Sequence, residues 1–377
     1  MEFELNTIEL DDNVTDIVFL SDVHFGIRNA SIEWNENIKC YFNDFFIPYI
    51  KTLKKRNNKV IVIIAGDYFD NRKYVDVNVM NSAIDIMENI TKYANVYIMV
   101  GNHDIYKNCE LDITSLRCLK NIKGVHVIDR ITDMVIKKEF NIIMIPWVGD
   151  YKTENSIITE CKDKCNYIVM HTEISGMTYD NNRPIVNGVN MSVCNKSKII
   201  SGHIHKRQES DKGFYLGSPY HMDRSDIGNV KGIYSIKLND DGTHLINFHK
   251  NTYSPIFCKV KYDDILSDMD SWKNIVNNNY VDVVFTQKNI DTFNVNKFVE
   301  MLYSFGARRI ECVIEKDDVV STCDNIDVQN MKPEDITIDN MFNIKATSMK
   351  LDDRIWDSLS KVNEYYMKKA QEELGQK

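Results

Sequence analysis

Five short apolar segments rich in β-branched residues each end in side chains that can bind metal ions. The segments are IVFL at 17–20, VIVIIA at 60–65, VYIMV at 96–100, YIVM at 167–170 and KIIS at 198–201. Strands buried in a parallel sheet are typically continuous apolar segments, and ligand-binding groups lie beyond the carboxyl ends of such strands. Five in succession predict an α/β fold in which one site is assembled from five loops.

The residues that follow these segments are carboxylates, an amide and imidazoles. They are Asp22 and His24, Asp67 and Asp70, Asn102 with His103 and Asp104, then His171, and finally His203 and His205. Taken singly, Asp-x-His after a strand is most often a turn or a helix cap, and Gly-Asn-His-Asp is typical of a tight turn. Gly-His-x-His is more specific, because alternate residues of an extended segment place both imidazoles on one side. The ordered set favours one metal site over unrelated turns.

Seven of these side chains can hold two divalent cations. Asp67 is suited to bridge the ions, with Asp22, His24 and His205 on one ion and Asn102, His171 and His203 on the other. Imidazole, carboxylate and amide donors without a thiolate favour manganese, or iron or zinc, over a calcium or magnesium site made only of oxygen. Two such ions stabilise the attacking and leaving oxygens of phosphoryl transfer, and a hydroxide between them is a nucleophile at neutral pH. Open water positions are typical of a catalytic site.

His103 cannot turn its ring to the same ion as Asn102 if Asn102 is the ligand. We therefore predict that His103 stabilises the transition state or protonates the leaving oxygen, with Asp104 orienting the imidazole and raising its pKa. Asp70 is predicted to contact the ligands from outside the coordination sphere. Among the other histidines, those at 126, 244 and 249 are expected to be structural, whereas His221 is open between a structural role and the rim of the site.

The pattern from residue 14 to about 250 alternates strands with amphipathic helices and then continues mostly as strands. Helical spacing is found at 35–56 and 76–94, and strands are predicted at 125–128, 132–137, 140–145, 214–217, 232–238 and 244–249. Units of strand, helix and strand followed by many strands predict two sheets packed face to face with helices outside. We assign residues 1–250 to one domain on this basis.

Beyond residue 250 the order strand, helix, strand, helix, strand predicts a small α/β domain over 251–318. Residues 319–335 are polar and acidic and are predicted to form a linker. A helical tail is predicted over 336–377, with an apolar stripe of Ile355, Trp356, Leu359, Val362 and Tyr366. Such a stripe can pack on its own domain or in the groove of a partner, and the acidic linker favours the partner.

Charge and composition limit the classes of function. The chain has 46 Lys and Arg against 55 Asp and Glu, and a net charge of −9 argues against binding of a polyanion through bulk charge. Contact with a nucleic acid would have to come from local basic groups, bound metal or a basic partner. Nine cysteines without a CxxC pair, no leader sequence and no membrane-spanning segment are typical of a reduced, soluble, intracellular protein.

In their order along the chain, Asp-x-His, Gly-Asp-x-x-Asp, Gly-Asn-His-Asp, a lone His and Gly-His-x-His resemble the motifs of the calcineurin-like metallophosphoesterases, over residues 22–205. Narrower features resemble the SbcD branch of recombination and repair nucleases. They are DVHFGIRN at 22–29, IPW at 145–147 and GFYLGSPYHMDRSDIGNVKGIYSI at 213–236. The short length and GDYFDNRK at 66–73 are most similar to the nuclease subunit of phage recombination endonucleases.

The resemblance implies a two-sheet β-sandwich flanked by helices, a small α/β domain that caps the site and helps to select DNA, and a C-terminal helical tail. It implies a manganese-dependent DNA exonuclease and endonuclease that acts in double-strand break repair and recombination, with the same seven ligands and a catalytic His103. Relatives differ at the position of Asp70, some with His, so a phosphate contact there does not follow. Further implications are an SbcC-type coiled-coil ATPase bound by the tail, a homodimer, and a location in the host cytoplasm for a phage protein or the nucleus for a eukaryotic one.

Other functions stay open at this point. A metallophosphoesterase that acts on phosphoproteins or small phosphodiesters would use the same ligands. A non-catalytic scaffold of the same fold would show lost ligands first, and none of the seven is missing. A DNA-end tether with a vestigial nuclease would be revealed by a metal titration without turnover.

Five basic residues near the ligand motifs are candidates for contacts with DNA phosphates, namely Arg28, Arg72, Lys73, Lys206 and Arg207. Each such contact would make DNA binding sensitive to salt. The Lys and Arg cluster over 51–59 is better explained as a solvated helix end that interacts with the helix dipole. Arg308 and Arg309 are equally suited to contact DNA or to cover a sheet edge.

Overall fold

The computed structural model describes residues 5–10, 13–56, 59–107, 111, 113–137, 140–286, 289 and 295–314. The predicted linker at 319–335 and helical tail at 336–377 lie outside these residues. The described residues form sheets of seven, six and three strands.

The six-stranded sheet consists of β2 (Val14–Leu20), β3 (Lys59–Ile64), β4 (Asn95–Met99), β5 (Val125–Ile128), β12 (Gly232–Leu238) and β13 (His244–Lys250). Its order is β13-β12-β2-β3-β4-β5. Because β2 to β5 are parallel, their carboxyl ends meet at one edge of the sheet. The loops after these strands are therefore brought close together.

The seven-stranded sheet consists of β1 (Asn6–Glu9), β6 (Thr132–Lys137), β7 (Phe140–Ile145), β8 (Tyr167–His171), β9 (Lys198–Gly202), β10 (Gln208–Glu209) and β11 (Gly213–Tyr215). Its order is β1-β6-β7-β8-β9-β11-β10. β7, β8, β9 and β11 are parallel, so their loops also share one edge.

The helices of this region are α1 (Ile27–Ala30), α2 (Ile32–Cys40), α3 (Ile47–Lys55), α4 (Val77–Thr91) and α5 (Tyr151–Cys161). A π-helical turn at Tyr41–Phe46 joins α2 to α3, so the predicted helix at 35–56 is one continuous helical segment. Helix α4 is capped at its amino end by Asp76, whose side chain accepts hydrogen bonds from the amides of Asn78 and Val79. None of the helices among the described residues is long and apolar enough to cross a membrane.

The continuous apolar character of the strands has a simple cause. In β2, Ile17 and Phe19 lie in the core between the two sheets, whereas Val18 and Leu20 pack against the helices on the other face. Helix α5 covers the outer face of the seven-stranded sheet with Ile158. Strands buried on both faces have no polar side to expose. The predicted fold class, a two-sheet sandwich flanked by helices, is confirmed.

The three-stranded sheet is parallel, in the order β14-β15-β16. This part of the chain consists of β14 (Phe257–Lys261), α6 (Tyr262–Ser267), α7 (Met269–Val276), β15 (Tyr280–Phe285), α8 (Val295–Ser304) and β16 (Arg309–Ile314). It has its own core and contacts the sandwich through the stacked rings of Trp34, Phe257 and Tyr280. The boundaries assigned to this domain stay a prediction.

Candidate metal centre

The loops after β2, β3, β4 and β9 meet the carboxyl end of β8, and together they carry all seven predicted ligands. Four of the ligands have a left-handed backbone, with φ of 54° at Asp22, 53° at His24, 54° at Asp67 and 82° at His203. Such angles are uncommon outside glycine and persist where the surrounding structure enforces them, often at functional sites. The fold therefore holds an unfavourable backbone geometry at the positions that orient these side chains.

Asp22, His24 and His205 form a first group of donors, with one ligand atom from each within 4.8 Å of the others. Nε2 of His24 lies 3.1 Å from Nε2 of His205, so both nitrogens could bind one ion. Nδ1 of His24 faces the carboxylate of Asp70 at 3.1 Å, which favours the tautomer whose Nε2 can bind a metal. Burial, and then His24, lowers the pKa of His205 well below its usual value, which favours the neutral ring that metals require.

Asp67, His171 and His203 form a second group within the same limit of 4.8 Å. Oδ1 of Asn102 lies 2.9 Å from Nε2 of His171 and 3.0 Å from Nδ1 of His203. With the amide turned over, its nitrogen would donate to both imidazoles and its oxygen would accept from Arg72 at 3.0 Å. Only the orientation with Oδ1 toward the imidazoles can bind a cation, because the amide nitrogen is a donor.

Asp67 connects the two groups. Its Oδ2 lies 3.1 Å from Nε2 of His171 and 3.8 Å from Nε2 of His24. Burial acts to raise the pKa of Asp67, but the imidazoles of His171 and His24 hold it well below its usual range. An ionised carboxylate between two sets of donors is suited to bridge two cations.

The surroundings of His171 show that the donor set fits a cation. Its Nδ1 lies 2.8 Å from the backbone carbonyl of Ala65. Since a carbonyl only accepts, Nδ1 carries the proton, and Nε2 turns its lone pair toward the oxygens of Asp67 and Asn102. Burial acts to lower the pKa of His171, but Asp67 raises it to about 9. The lone pairs of Nε2 and of the two oxygens repel one another unless a positive charge, a proton or a metal ion, lies between them.

Close approach of the loops explains two glycines of the motifs. A Cβ at Gly101 would overlap Oδ1 and the amide nitrogen of Asp67. A Cβ at Gly202 would overlap the hydroxyl of Ser21 and lie 2.8 Å from Nδ1 of His171. Any side chain at either position would displace one of the predicted ligands.

His103 lies beside the shared carboxylate. Its backbone amide donates to Oδ1 of Asp67 at 2.8 Å, and its ring meets that of His24 edge to face at 4.9 Å between centroids. Nδ1 of His103 lies 2.6 Å from the backbone carbonyl of Asp70 and therefore carries a proton. Nε2 is then the atom that can exchange a proton with a ligand. Asp70 supports two imidazoles, that of His24 through its carboxylate and that of His103 through its carbonyl.

The structure corrects the role predicted for Asp104. Its carboxylate does not contact the imidazole of His103 but accepts from four backbone amides, at 2.9 Å from Asp67, 3.4 Å from Tyr68, 3.0 Å from Phe69 and 3.0 Å from Gly101. Burial and then the charge of Asp67 raise the pKa of Asp104 to about 7, against the effect of these amides. Asp104 thus holds together the two loops that carry Asp67 and Asn102, because its partners come from both.

Replacing Asp104 with asparagine is expected to lower the free energy of unfolding by about 1–3 kcal/mol, because an amide turns donors toward backbone N–H groups that need an acceptor. Chemical denaturation of the variant and of the wild type measures this difference. Asp211→Asn, at an exposed turn, is the matched control. An unchanged midpoint for Asp104→Asn would contradict the role assigned to this carboxylate.

Among the five basic residues predicted to contact phosphate, Arg72 lies beside a predicted ligand. Its Nη2 is 3.0 Å from the atom of the Asn102 amide that points away from the imidazoles, and this is a hydrogen bond only in the turned orientation, in which Asn102 does not bind a cation. Lys73 follows on the same loop and is exposed. This loop joins β3 to α4 and places positive charge beside the donor groups.

The other three basic side chains make local contacts away from the donor groups. Arg28 donates to the carbonyl of Met222 at 2.9 Å, and its guanidinium lies 4.8 Å from the ring centre of Trp34. Arg207 pairs with Glu209 at 2.5 Å, and its guanidinium lies 4.3 Å from the ring centre of Phe248. Lys206 contacts Asn182. A role of these residues in DNA binding stays a prediction.

Trp147 borders the site, and the sequence assigned no role to it. Its ring centroid lies 5.2 Å from that of His203 and 6.1 Å from that of His171. Within the described part of the chain, its buried Nε1 has no hydrogen-bond partner. Two signals were available, the family feature IPW at 145–147 and the position of Trp147 after β7, at the same sheet edge as the loops after β8 and β9.

The histidines outside the motifs lie away from the donor groups. His221 accepts from the amide of Phe257 through Nδ1 at 3.2 Å and faces the carbonyl of Asn229 through Nε2 at 3.0 Å. It therefore connects the sandwich to β14 and is structural. His126 stacks on Tyr97, His244 contacts Tyr167, and His249 contacts Tyr49 and Ser235.

Comparison of the amino-acid sequence with known families identifies the family of this chain. The sequence profile of the calcineurin-like phosphoesterases matches residues 15–207, the segment that contains every predicted ligand. This chain belongs to the calcineurin-like phosphoesterases. The members of this family are hydrolases that use divalent metal ions, and the two donor groups described above lie inside the matched segment.

Curated relatives share part of the chain. Exonuclease subunit 1 of Enterobacteria phage T4 is 26% identical over 258 residues, which cover 66% of this chain and 73% of that protein. The "Putative phosphoesterase 078R" of Invertebrate iridescent virus 3 is 26% identical over 220 residues, which cover 55% of this chain and 58% of the viral protein. The chain thus spans less than two thirds of the length of 078R. The solved 5'-nucleotidase precursor from Thermus thermophilus is 12% identical at a TM-score of 0.33, over 64% of this chain and 54% of its own.

Proposed function

We propose that this phosphoesterase is a manganese-dependent DNA nuclease of the SbcD type. The observation that carries the proposal is the pair of donor groups that share Asp67, with His103 beside them. The similarity to exonuclease subunit 1 of phage T4 supports DNA as the substrate. The imidazole-rich donor set without a thiolate supports manganese over an all-oxygen magnesium site.

The roles of the side chains follow from their contacts. In this proposal Asp22, His24 and His205 would hold one ion, Asn102, His171 and His203 would hold the other, and Asp67 would be shared between them. When bound, two such ions supply Lewis acidity and an activated water for hydrolysis of a phosphodiester. Nε2 of His103 would transfer the proton to the leaving oxygen, while the carbonyl of Asp70 fixes the ring through Nδ1.

In this proposal individual basic side chains near the site bind the phosphates of the DNA backbone. The net charge of −9 argues against attraction of a polyanion through bulk charge. Arg72 is the leading candidate, since its guanidinium lies beside the side chain of Asn102. Arg309 is 65% exposed and is better placed for DNA than Arg308, whose guanidinium donates to Asn37 and Asn278 at 2.7 Å each.

The proposal extends to the regions around the site. The small α/β domain assigned to 251–318 caps the site, and the tail at 336–377 binds a coiled-coil ATPase of the SbcC type. Two copies of the chain associate as a homodimer. Analytical ultracentrifugation tests the dimer, and co-purification with an ATPase subunit encoded by the same genome tests the partner.

Assays of the purified full chain on three substrates distinguish a nuclease from a different phosphoesterase or a non-catalytic scaffold. We expect Mn²⁺ to cause release of nucleotides from linear duplex DNA, chelation to return the rate to background, and a phosphopeptide to stay intact. Hydrolysis of the phosphopeptide or of a small phosphodiester without cleavage of DNA would instead show a different phosphoesterase. Binding of two ions without turnover on any substrate would show a scaffold. Anomalous scattering from crystals soaked in manganese should give two peaks.

A further inference from the structure

The backbone carbonyl of His205 is held by two donors from a distant segment. The amide of Ser218 donates to it at 3.0 Å, and Nζ of Lys231 donates to it at 2.7 Å. Lys231 also donates to the hydroxyl of Ser218 at 2.8 Å. Gly217 lies against the same carbonyl, since a Cβ there would be 2.8 Å from the oxygen. The position of the His205 imidazole therefore depends on the segment from 217 to 231.

Lys231 is buried together with a carboxylate. Its side chain is 2% exposed, and it pairs with Asp226, whose side chain is also 2% exposed. Oδ2 of Asp226 accepts from the amide of Met222 at 2.7 Å. A buried ion pair contributes little to stability compared with apolar side chains of similar size. Stability alone does not explain the pair, so its role lies in what Lys231 contacts, the carbonyl of His205.

The contacts of Lys231 reach one donor group only. Its Nζ contacts Asp226, Ser218 and the carbonyl of His205, which belongs to the group formed with Asp22 and His24. Within the residues that the structure describes, it has no contact with any member of the group that contains His171. An effect of this lysine on metal binding should therefore be confined to one of two ions.

We propose that Lys231 and Asp226 are a positioning pair that fixes His205 and sets the affinity of the ion held by Asp22, His24 and His205. The inference rests on the proposed function, because it requires that ion to bind there. Neither residue of the pair contacts the substrate or the reacting atoms. The pair acts through the backbone of the ligand, as outer groups do in metal sites generally.

The deciding variant replaces both members of the pair, Asp226→Asn with Lys231→Met. It removes two charges together and keeps an oxygen that can accept from the amide of Met222. Lys231→Met alone leaves a carboxylate buried without its cation and can fail to fold. The matched control is Lys237→Met, because Lys237 is exposed and lies on β12, the strand that begins one residue after Lys231.

The readout is the binding of Mn²⁺ to the full chain by titration calorimetry, with thermal unfolding measured in parallel. We expect two ions in the wild type and in Lys237→Met. In the double variant we expect one ion with unchanged affinity and the other weaker by roughly 10- to 100-fold. The Mn²⁺ concentration for half-maximal hydrolysis should rise by the same factor, with kcat at saturating Mn²⁺ close to that of the wild type.

Two results would overturn the inference. If the double variant binds both ions as the wild type does, whatever its unfolding temperature, the pair is merely structural. If both affinities fall equally, the pair does not act through His205. A wild type that binds no Mn²⁺ would overturn the proposed function and this inference with it, and that failure is recognised in the wild type itself before any variant is compared.

Discussion

Replacing Asp67 with asparagine should remove paired binding of Mn²⁺ and slow phosphodiester hydrolysis by about 10³-fold, or about 4 kcal/mol of transition-state stabilisation. The reason is that Oδ2 of Asp67 is the one oxygen placed within 3.8 Å of both His24 and His171 among the contacts described for this carboxylate. A neutral amide supplies one oxygen and no charge to bridge two cations. Titration calorimetry counts the ions, and bis(p-nitrophenyl) phosphate gives the rate.

Asp211→Asn removes the same charge at an exposed turn and should leave both measurements unchanged. Circular dichroism of Asp67→Asn without metal checks that the sandwich is intact, so that lost binding is assigned to the site. Two ions bound with the affinity of the wild type would contradict a bridging role for Asp67.

Replacing His103 with asparagine should leave binding of metal and of DNA largely intact and slow cleavage of DNA by roughly 10²- to 10⁴-fold. Asparagine keeps a donor for the carbonyl of Asp70, which Nδ1 of His103 faces at 2.6 Å, and removes the Nε2 that exchanges the proton. Calorimetry, a DNA-binding assay and the rate of nucleotide release measure the three quantities. His126→Asn, at an exposed ring stacked on Tyr97, is the matched control.

The choice of leaving group gives a second, sharper measurement on the same variant. A p-nitrophenolate leaves without being protonated, whereas the alkoxide of a sugar requires a proton. The loss of rate in His103→Asn should therefore be much smaller with bis(p-nitrophenyl) phosphate than with DNA. Equal losses on both substrates would indicate that His103 stabilises charge at phosphorus and does not protonate the leaving oxygen. Full activity on DNA would remove His103 from the mechanism.

Much of the fold could be predicted because its signals are local. The apolar segments that end before Asp22, Asp67 and Asn102 form β2, β3 and β4, since strands buried on both faces have no polar side to show. The helix predicted at 35–56 contains a π-helical turn at Tyr41–Phe46, through which the helical segment continues with buried Phe42 and Phe46. The periodicity of apolar residues indicates which face of a helix is buried. It does not reveal a local change from α-helical to π-helical hydrogen bonds.

The sequence predicted which side chains could bind metal at the candidate site, but it did not predict the contacts that give each residue its role. Asp104 follows His103 in the sequence, yet its carboxylate meets the amide of Asp67, 37 residues earlier. Adjacent residues of a loop turn in different directions, and only the packing of the loops decides which groups each carboxylate meets. Nor did the sequence place Trp147 at the site, because IPW at 145–147 served only as a family resemblance and an indole after a strand is ordinarily part of a core.

The amino-acid sequence by itself determined the chemical identity of the donors and the strands that precede them, because both depend on residues close together in the chain. Tertiary structure alone decided which nitrogen of His24, His103 and His171 is available, through contacts with Asp70 and with the carbonyls of Asp70 and Ala65. It also decided that Lys231 supports the carbonyl of His205, 26 residues away. The physical reason is that hydrogen-bond partners across loops are fixed by how two sheets pack, which no local pattern records.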